Sequence, residues 1–136
     1  MCAPQNRGFT LIEVVIVMAV VGLLAALAIP RFAASKEKAL LTSMKSDLRN
    51  LATQEEAYSI QHNAYTTSLP ATLYTVSPGV TGPAITLTGD GWTAVLGHTA
   101  TSKTCAIFAG TTPLAPAVDE SVPMCTSGEG GVPADY

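Results

Sequence analysis

The sequence predicts an α+β fold in which one long N-terminal helix carries a small antiparallel sheet. Three observations carry that expectation. From Val14 to Ile29 no residue is polar. Beyond Pro30 the apolar residues recur at three- and four-residue steps. After residue 80 come short alternating segments punctuated by Gly89-Asp90-Gly91.

The apolar run comes first. With Phe9–Ile12 included it has about 20 residues, the length a helix needs to cross a bilayer core. Because it is apolar on all sides, it is not an amphipathic surface helix. Arg7 precedes it and Arg31, Lys36 and Lys38 follow, so charge bias does not set the orientation cleanly. The short end before the run is expected to stay cytoplasmic while the long polar part is exported. Glu13 is the anomaly, since a carboxylate in lipid costs about 2.5–3.5 kcal/mol at mid-depth. Three readings meet here. A secretory signal peptide would use the A-x-A site Ala26-Leu27-Ala28. A plain membrane anchor gives no reason for the acid. The third reading makes Glu13 functional, the default for an acid in a span.

Composition narrows the classes. The 136 residues suffice for one domain. Only 12% are charged and the net charge is −3, which argues against direct nucleic-acid binding, because phosphate recognition needs clustered Lys and Arg. Three cysteines are an odd count for an exported protein. The count becomes even if the chain is cut between Cys2 and the rest.

Gly8-Phe9-Thr10-Leu11-Ile12-Glu13, followed by the apolar run and Pro30, resembles the type IV pilin and pseudopilin family, with a class III prepilin leader. The resemblance is strong from Arg7 to about Leu51 and weaker beyond. It implies that prepilin peptidase cuts between Gly8 and Phe9, so residues 1–8 leave as a leader that takes Cys2 with it. Phe9 becomes the N-methylated terminus. Residues 9–30 form a transmembrane helix that later becomes filament core. The Glu13 carboxylate then reads the terminal amine of a neighbouring subunit and sets its axial register. Gly22 and Pro30 mark a helix break, where Pro30 kinks or interrupts the backbone. The small residues Ala19, Gly22, Ala25, Ala26 and Ala28 either permit close helix approach or are ordinary membrane-helix residues. The implied partners are further copies of the chain, prepilin peptidase, and an inner-membrane assembly platform with a separate ATPase. The implied location is the inner membrane before assembly and the cell surface afterwards.

Residues 31–62 read as an amphipathic helix. Leu41, Met44, Leu48, Leu51 and Tyr58 form its apolar stripe, broken once at Glu55. Lys36, Glu37, Lys38, Lys45, Asp47, Arg49 and Glu56 are expected on its other faces. Asn63 and the Tyr-Thr-Thr-Ser that follows signal its end, which makes the helix on the order of 80 Å long from Phe9.

Residues 63–136 read as a small β-sheet head. A loop surrounds Leu69-Pro70, with a short strand possible at Leu73–Val76. Ala84–Thr88 and Trp92–Gly97 flank the Gly89-Asp90-Gly91 turn as a hairpin. Thr104–Ala109 is a further strand, and Trp92 is expected in the core. Cys105 and Cys125 lie in the exported part, where a disulfide is the natural reading; the family resemblance implies the same C-terminal disulfide loop. The bond is expected to be the main restraint on the Pro- and Gly-rich stretch 110–124, contributing roughly 3 kcal/mol.

The chemistry of an enzyme is missing from the sequence. There is no G-x-x-x-x-G-K-[ST] motif. His62 and His98 stand apart, without a second ligand at metal spacing. Asp119-Glu120 lacks the D-x-[DN]-x-[DN]-G pattern and reads as a solvated turn, and adjacent Glu55 and Glu56 point to different parts of the helix surface. No cofactor, metal or catalytic residue is expected. The functional reading is a pilin, the structural subunit of a filament serving adhesion, twitching motility or DNA uptake. A pseudopilin of a type II secretion system is the alternative, and a secreted binding domain with a conventional signal peptide is the alternative of another class.

Overall fold

A computed structural model describes residues 8–126. Cys2, the rest of the expected leader before Gly8, and the head residues after Thr126 lie outside the described residues. The chain divides into two compact units, one ending at Lys36 and one starting at Glu37.

One helix, α1 (Leu11–His62), crosses the boundary between them and is helical through both Gly22 and Pro30. Neither residue interrupts it in the isolated subunit, because a proline removes one N–H donor while the flanking turns keep theirs. The helix ends where the sequence signals. Asn63 takes the left-handed conformation, with φ of 54°, and its N–H returns to the Ser59 carbonyl at 2.8 Å.

In the second unit α1 packs on four strands, β1 (Val80–Leu87), β2 (Trp92–His98), β3 (Thr101–Ala109) and β4 (Met124–Cys125). They form one antiparallel sheet in the order β1-β2-β3-β4. The hairpin is in the expected place, with Leu87 opposite Trp92 across the turn. The turn lies so close to the end of β3 that a Cβ on Gly91 would run into the Ala109 carbonyl, so that position admits only glycine. Pro83 sits at a register shift in β1, an edge strand, where a missing N–H is tolerated.

Strand alternation splits the sheet residues between two faces. Trp92, Ala94 and Leu96 of β2, with Cys105, Ile107 and Ala109 of β3, meet Met44, Leu48 and Leu51 of α1 in the main core. On the opposite face Ala106 and Phe108 are covered by Ala117, with Val95, Leu114 and Met124 packed around them. The segment between β3 and β4 therefore has an apolar anchor of its own. Ser121 N–H also donates to the Phe108 carbonyl at 2.8 Å. This corrects the expectation that the disulfide is the main restraint on that stretch.

Two further expectations are corrected. Leu73–Val76 is not a strand: the Pro70 carbonyl accepts from Leu73 and Tyr74 N–H at 2.9 and 3.1 Å, which closes a turn. Asp47 does not face solvent but is buried against the loop that follows α1.

Candidate functional site

The first turn of α1 gathers the residues that the sequence singles out. Thr10 is the N-cap. Its Oγ1 accepts from Glu13 N–H at 3.3 Å, while the Glu13 carboxylate accepts from Thr10 N–H at 3.4 Å and from the Thr10 hydroxyl at 3.4 Å. This reciprocal arrangement is a capping box, which satisfies helix donors that have no carbonyl partner four residues back. The T-x-x-E spacing ahead of an apolar run signals it in the sequence, yet the motif reading above gave Thr10 no role. Among the described residues, Glu13 thus has only local hydrogen-bond partners. Its negative charge also lies at the positive end of the helix dipole.

Phe9 is 83% exposed and stands directly before this turn. From Leu11 to Phe32 the large apolar side chains are all exposed, and Phe32 is still 74% exposed. Such a continuous apolar surface far exceeds the patches that soluble monomers leave in water. Among the described residues, α1 is one helix long and apolar enough to cross a membrane. Gly22 and Pro30 lie within this stretch, and a Cβ on Gly22 would meet nothing.

The cysteines form the second feature. Cys105 and Cys125 are bonded, and they are direct cross-strand partners in the β3–β4 register. Both are buried. Cys125 Sγ lies 3.9 Å from the Leu41 carbonyl oxygen, so the bond stands against α1.

The carboxylates of α1 form a third feature, which the sequence reading largely missed. Asp47 accepts from Ser77 N–H at 2.8 Å and from the Ser77 hydroxyl at 2.9 Å. Glu55 is fully buried and accepts from Thr66 N–H at 3.0 Å through Oε2, while Oε1 has no partner among the described residues. Glu56 accepts from the Tyr65 hydroxyl at 3.0 Å. Burial pushes the Glu55 carboxyl above its ordinary value, the Thr66 bond opposes the shift, and the neighbouring Glu56 charge adds to it. Burial likewise pushes Tyr74 up to about 12, with the Asp47 charge contributing. The signal was present in the spacing, since Met44, Asp47, Leu48, Leu51 and Glu55 fall on one face at three- and four-residue steps. These groups hold the loop after α1 to the helix. Among the described residues, no cluster of His, Cys, Asp and Glu has a metal-binding arrangement.

A single capped apolar helix, exposed along its first half and backed by a disulfide-closed sheet in its second, is the plan of a pilin-like subunit. The family model for the prokaryotic N-terminal methylation motif matches residues 4–29. The chain is 31% identical over 96 residues to the type IV wide pilus major component PilA4 of Thermus thermophilus, covering 68% of this chain and 73% of that protein. It is 40% identical over 62 residues to the type IV major pilin protein PilA of Myxococcus xanthus, covering 46% of this chain and 28% of the other. The type II secretion system core protein G of Pseudomonas aeruginosa is 36% identical over 61 residues, covering 45% and 43%. The chain therefore spans under half the length of the last two relatives and about three quarters of the first. No solved structure matches it. The chain belongs to the type IV pilin and pseudopilin family. Membership implies prepilin processing, membrane anchoring and polymerisation into a filament.

Proposed function

We propose that this chain is a type IV pilin, the structural subunit of a helical surface filament. Prepilin peptidase cuts between Gly8 and Phe9, and the new Phe9 amine is methylated. Residues 9–30 hold the subunit in the inner membrane and then become filament core. Residues 31–62 are the amphipathic half of the helix, and residues 63–136 form the head. The assembly platform and its ATPase are separate proteins, and the finished filament stands outside the cell.

The observation that carries this reading is the first turn of α1. Glu13 opens an exposed apolar helix, and among the described residues its only hydrogen bonds are to Thr10, at 3.3 to 3.4 Å. A neighbouring subunit's Phe9 amine offers it a charged partner. At about 4 Å and an effective dielectric of about 20, the pair attracts by about 4 kcal/mol, set against the desolvation of both charges. The pairing fixes where each subunit stops along the filament. The apolar surface leaves lipid only for another apolar environment, which a bundle of identical helices supplies. Subunits joined head to tail by a rotation that does not close give a filament. Gly22 and Pro30 are where α1 yields once it is packed in that bundle.

The Cys105–Cys125 bond favours the pilin over the secretion pseudopilin, as does the higher coverage of a pilus major component. Two measurements test the reading. Mass spectrometry of the mature chain is expected to show methylated Phe9 at the N-terminus; a terminus at Ile29 means a conventional signal peptide and a secreted domain. Glu13→Gln is expected to leave membrane insertion intact and abolish filaments. Normal filament yield from that variant removes the register role from Glu13.

A further inference from the structure

The charges of the second unit are segregated along α1. Lys38, Lys45 and Arg49 lie on one line of the helix, within about 40° of one another at 3.6 residues per turn. After Arg49 the whole sequence has one more basic residue, Lys103, and that is paired with Glu37 at 3.0 Å. The far end of the helix is acidic. Glu56 continues the basic line beyond Arg49 and holds the Tyr65 hydroxyl. Asp90 stands in the β1–β2 turn, which lines one groove with Ser59, Asn63 and Tyr65 of the helix end. The Asp90 carboxylate accepts from Thr111 N–H at 2.8 Å, and the Glu120 carboxylate accepts from Gly110 N–H at 2.7 Å. These bonds fix both acids at the same end. His62, Tyr58, Tyr65 and Asp119 are the other titratable groups near that end; His62 Nδ1 is 3.1 Å from the Tyr58 carbonyl, and the two rings stack. The acids also lie near the negative end of the helix dipole, and among the described residues no ion pair is formed by Glu56, Asp90 or Glu120.

We propose that the Lys38, Lys45 and Arg49 line of one subunit docks against the acidic end, at Glu56, Asp90 and Glu120, of a second copy of this chain. The inference rests on the filament reading and adds the contact between heads. A second copy fits because both complementary surfaces lie on one domain, displaced along one helix. A net charge of −3 gives the chain no general attraction to polyanions. The contact is heterologous, so it repeats along an axis instead of closing. It supplies orientation and partner choice more than affinity.

Two experiments on the full chain test it. Zero-length carbodiimide coupling of unaltered filaments joins carboxylates to amines in contact. The expected product is a covalent dimer whose joined peptides link Lys38 or Lys45 of one copy to an acid of the other's acidic end. The second experiment reverses charge. Lys45→Glu with Arg49→Glu, and separately Glu56→Lys with Asp119→Lys, are each expected to cut filament yield by about tenfold or more, and the four changes together to restore it. Asp119, the exposed neighbour of Glu120, is chosen because Asp90 and Glu120 themselves accept from backbone N–H groups of the segment after β3.

Filaments that yield no lysine-linked dimer, or whose amount ignores both reversals, overturn this inference and leave the filament reading standing. If the unaltered chain builds no filament, both fall. Where a reversal is lost to misfolding, seen as a missing Cys105–Cys125 bond, the coupling result on unaltered filaments decides.

Discussion

At the scale of single residues, carboxylates do more than the hydrophobic spacing alone suggests. Asp47, Glu55 and Glu56 each take a hydrogen bond from the loop that follows α1. Without them, the half-buried N–H groups of Thr66 and Ser77 would lose their partners, at about 1 kcal/mol each. Glu55 stabilises the loop at the expense of burying its own charge. Its folded pKa is raised above the ordinary 4.5, first by burial. The folded chain therefore holds that proton more tightly than the unfolded chain, so the Glu55 contribution is fully present below 4.5 and is lost as pH rises through the folded value. Glu55→Gln keeps an acceptor for Thr66 and removes the titration. The variant is expected to gain melting temperature relative to the unaltered protein as pH rises from acid to neutral. Thermal unfolding across that range checks this, and a difference that is flat or falls with pH excludes the linkage.

At the scale of elements, the sheet is clamped from both sides. Its inner face meets α1 through Trp92, Leu96 and Ile107, and its outer face is roofed by the segment carrying Leu114 and Ala117. The Cys105–Cys125 bond closes that segment at its base, with a sequence separation of 20. Removing both sulfurs as Cys105→Ala with Cys125→Ala is expected to cost about 3 kcal/mol, chiefly by freeing the unfolded chain. Because Ala117 remains packed against Phe108, the sheet itself should persist. The expected result is a lower unfolding midpoint with unchanged far-ultraviolet circular dichroism at low temperature. An unfolded variant under those conditions would mean that the outer cluster contributes little.

At the scale of the molecule, the buried core and the exposed apolar surface fall in different units. Among the described residues, every buried core residue falls in the unit from Glu37 onward. The unit ending at Lys36 exposes its apolar side chains and has no core of its own among the described residues. A chain starting at Glu37 is therefore expected to fold as a soluble monomer that keeps the disulfide, the sheet and a cooperative transition reported by buried Trp92. Sedimentation and thermal unfolding check this; an aggregated or non-cooperative product would show that the apolar half is needed for folding. On the proposed filament reading the two units meet different demands, since one leaves water for lipid and then for other helices, while the other stays folded throughout.

The sequence alone determined the long helix, its end at His62, the hairpin about Gly89–Gly91 and the Gly8–Glu13 motif. These are local signals. A run apolar on every side, a three-and-four spacing and a glycine-bounded turn each act within a few residues of themselves. The pairing of Cys105 with Cys125 was also legible, through the expected export and the family resemblance. Only the tertiary structure decided the burial of Asp47 and Glu55, the turn in place of a strand at Leu73–Val76, the short β4 and the second apolar cluster behind the sheet. Each depends on a partner distant in sequence, such as Ser77 for Asp47 or Ala117 for Phe108. A polar residue on an apolar stripe is informative only once the group that satisfies it has been brought alongside, and chain folding, not local spacing, brings it there.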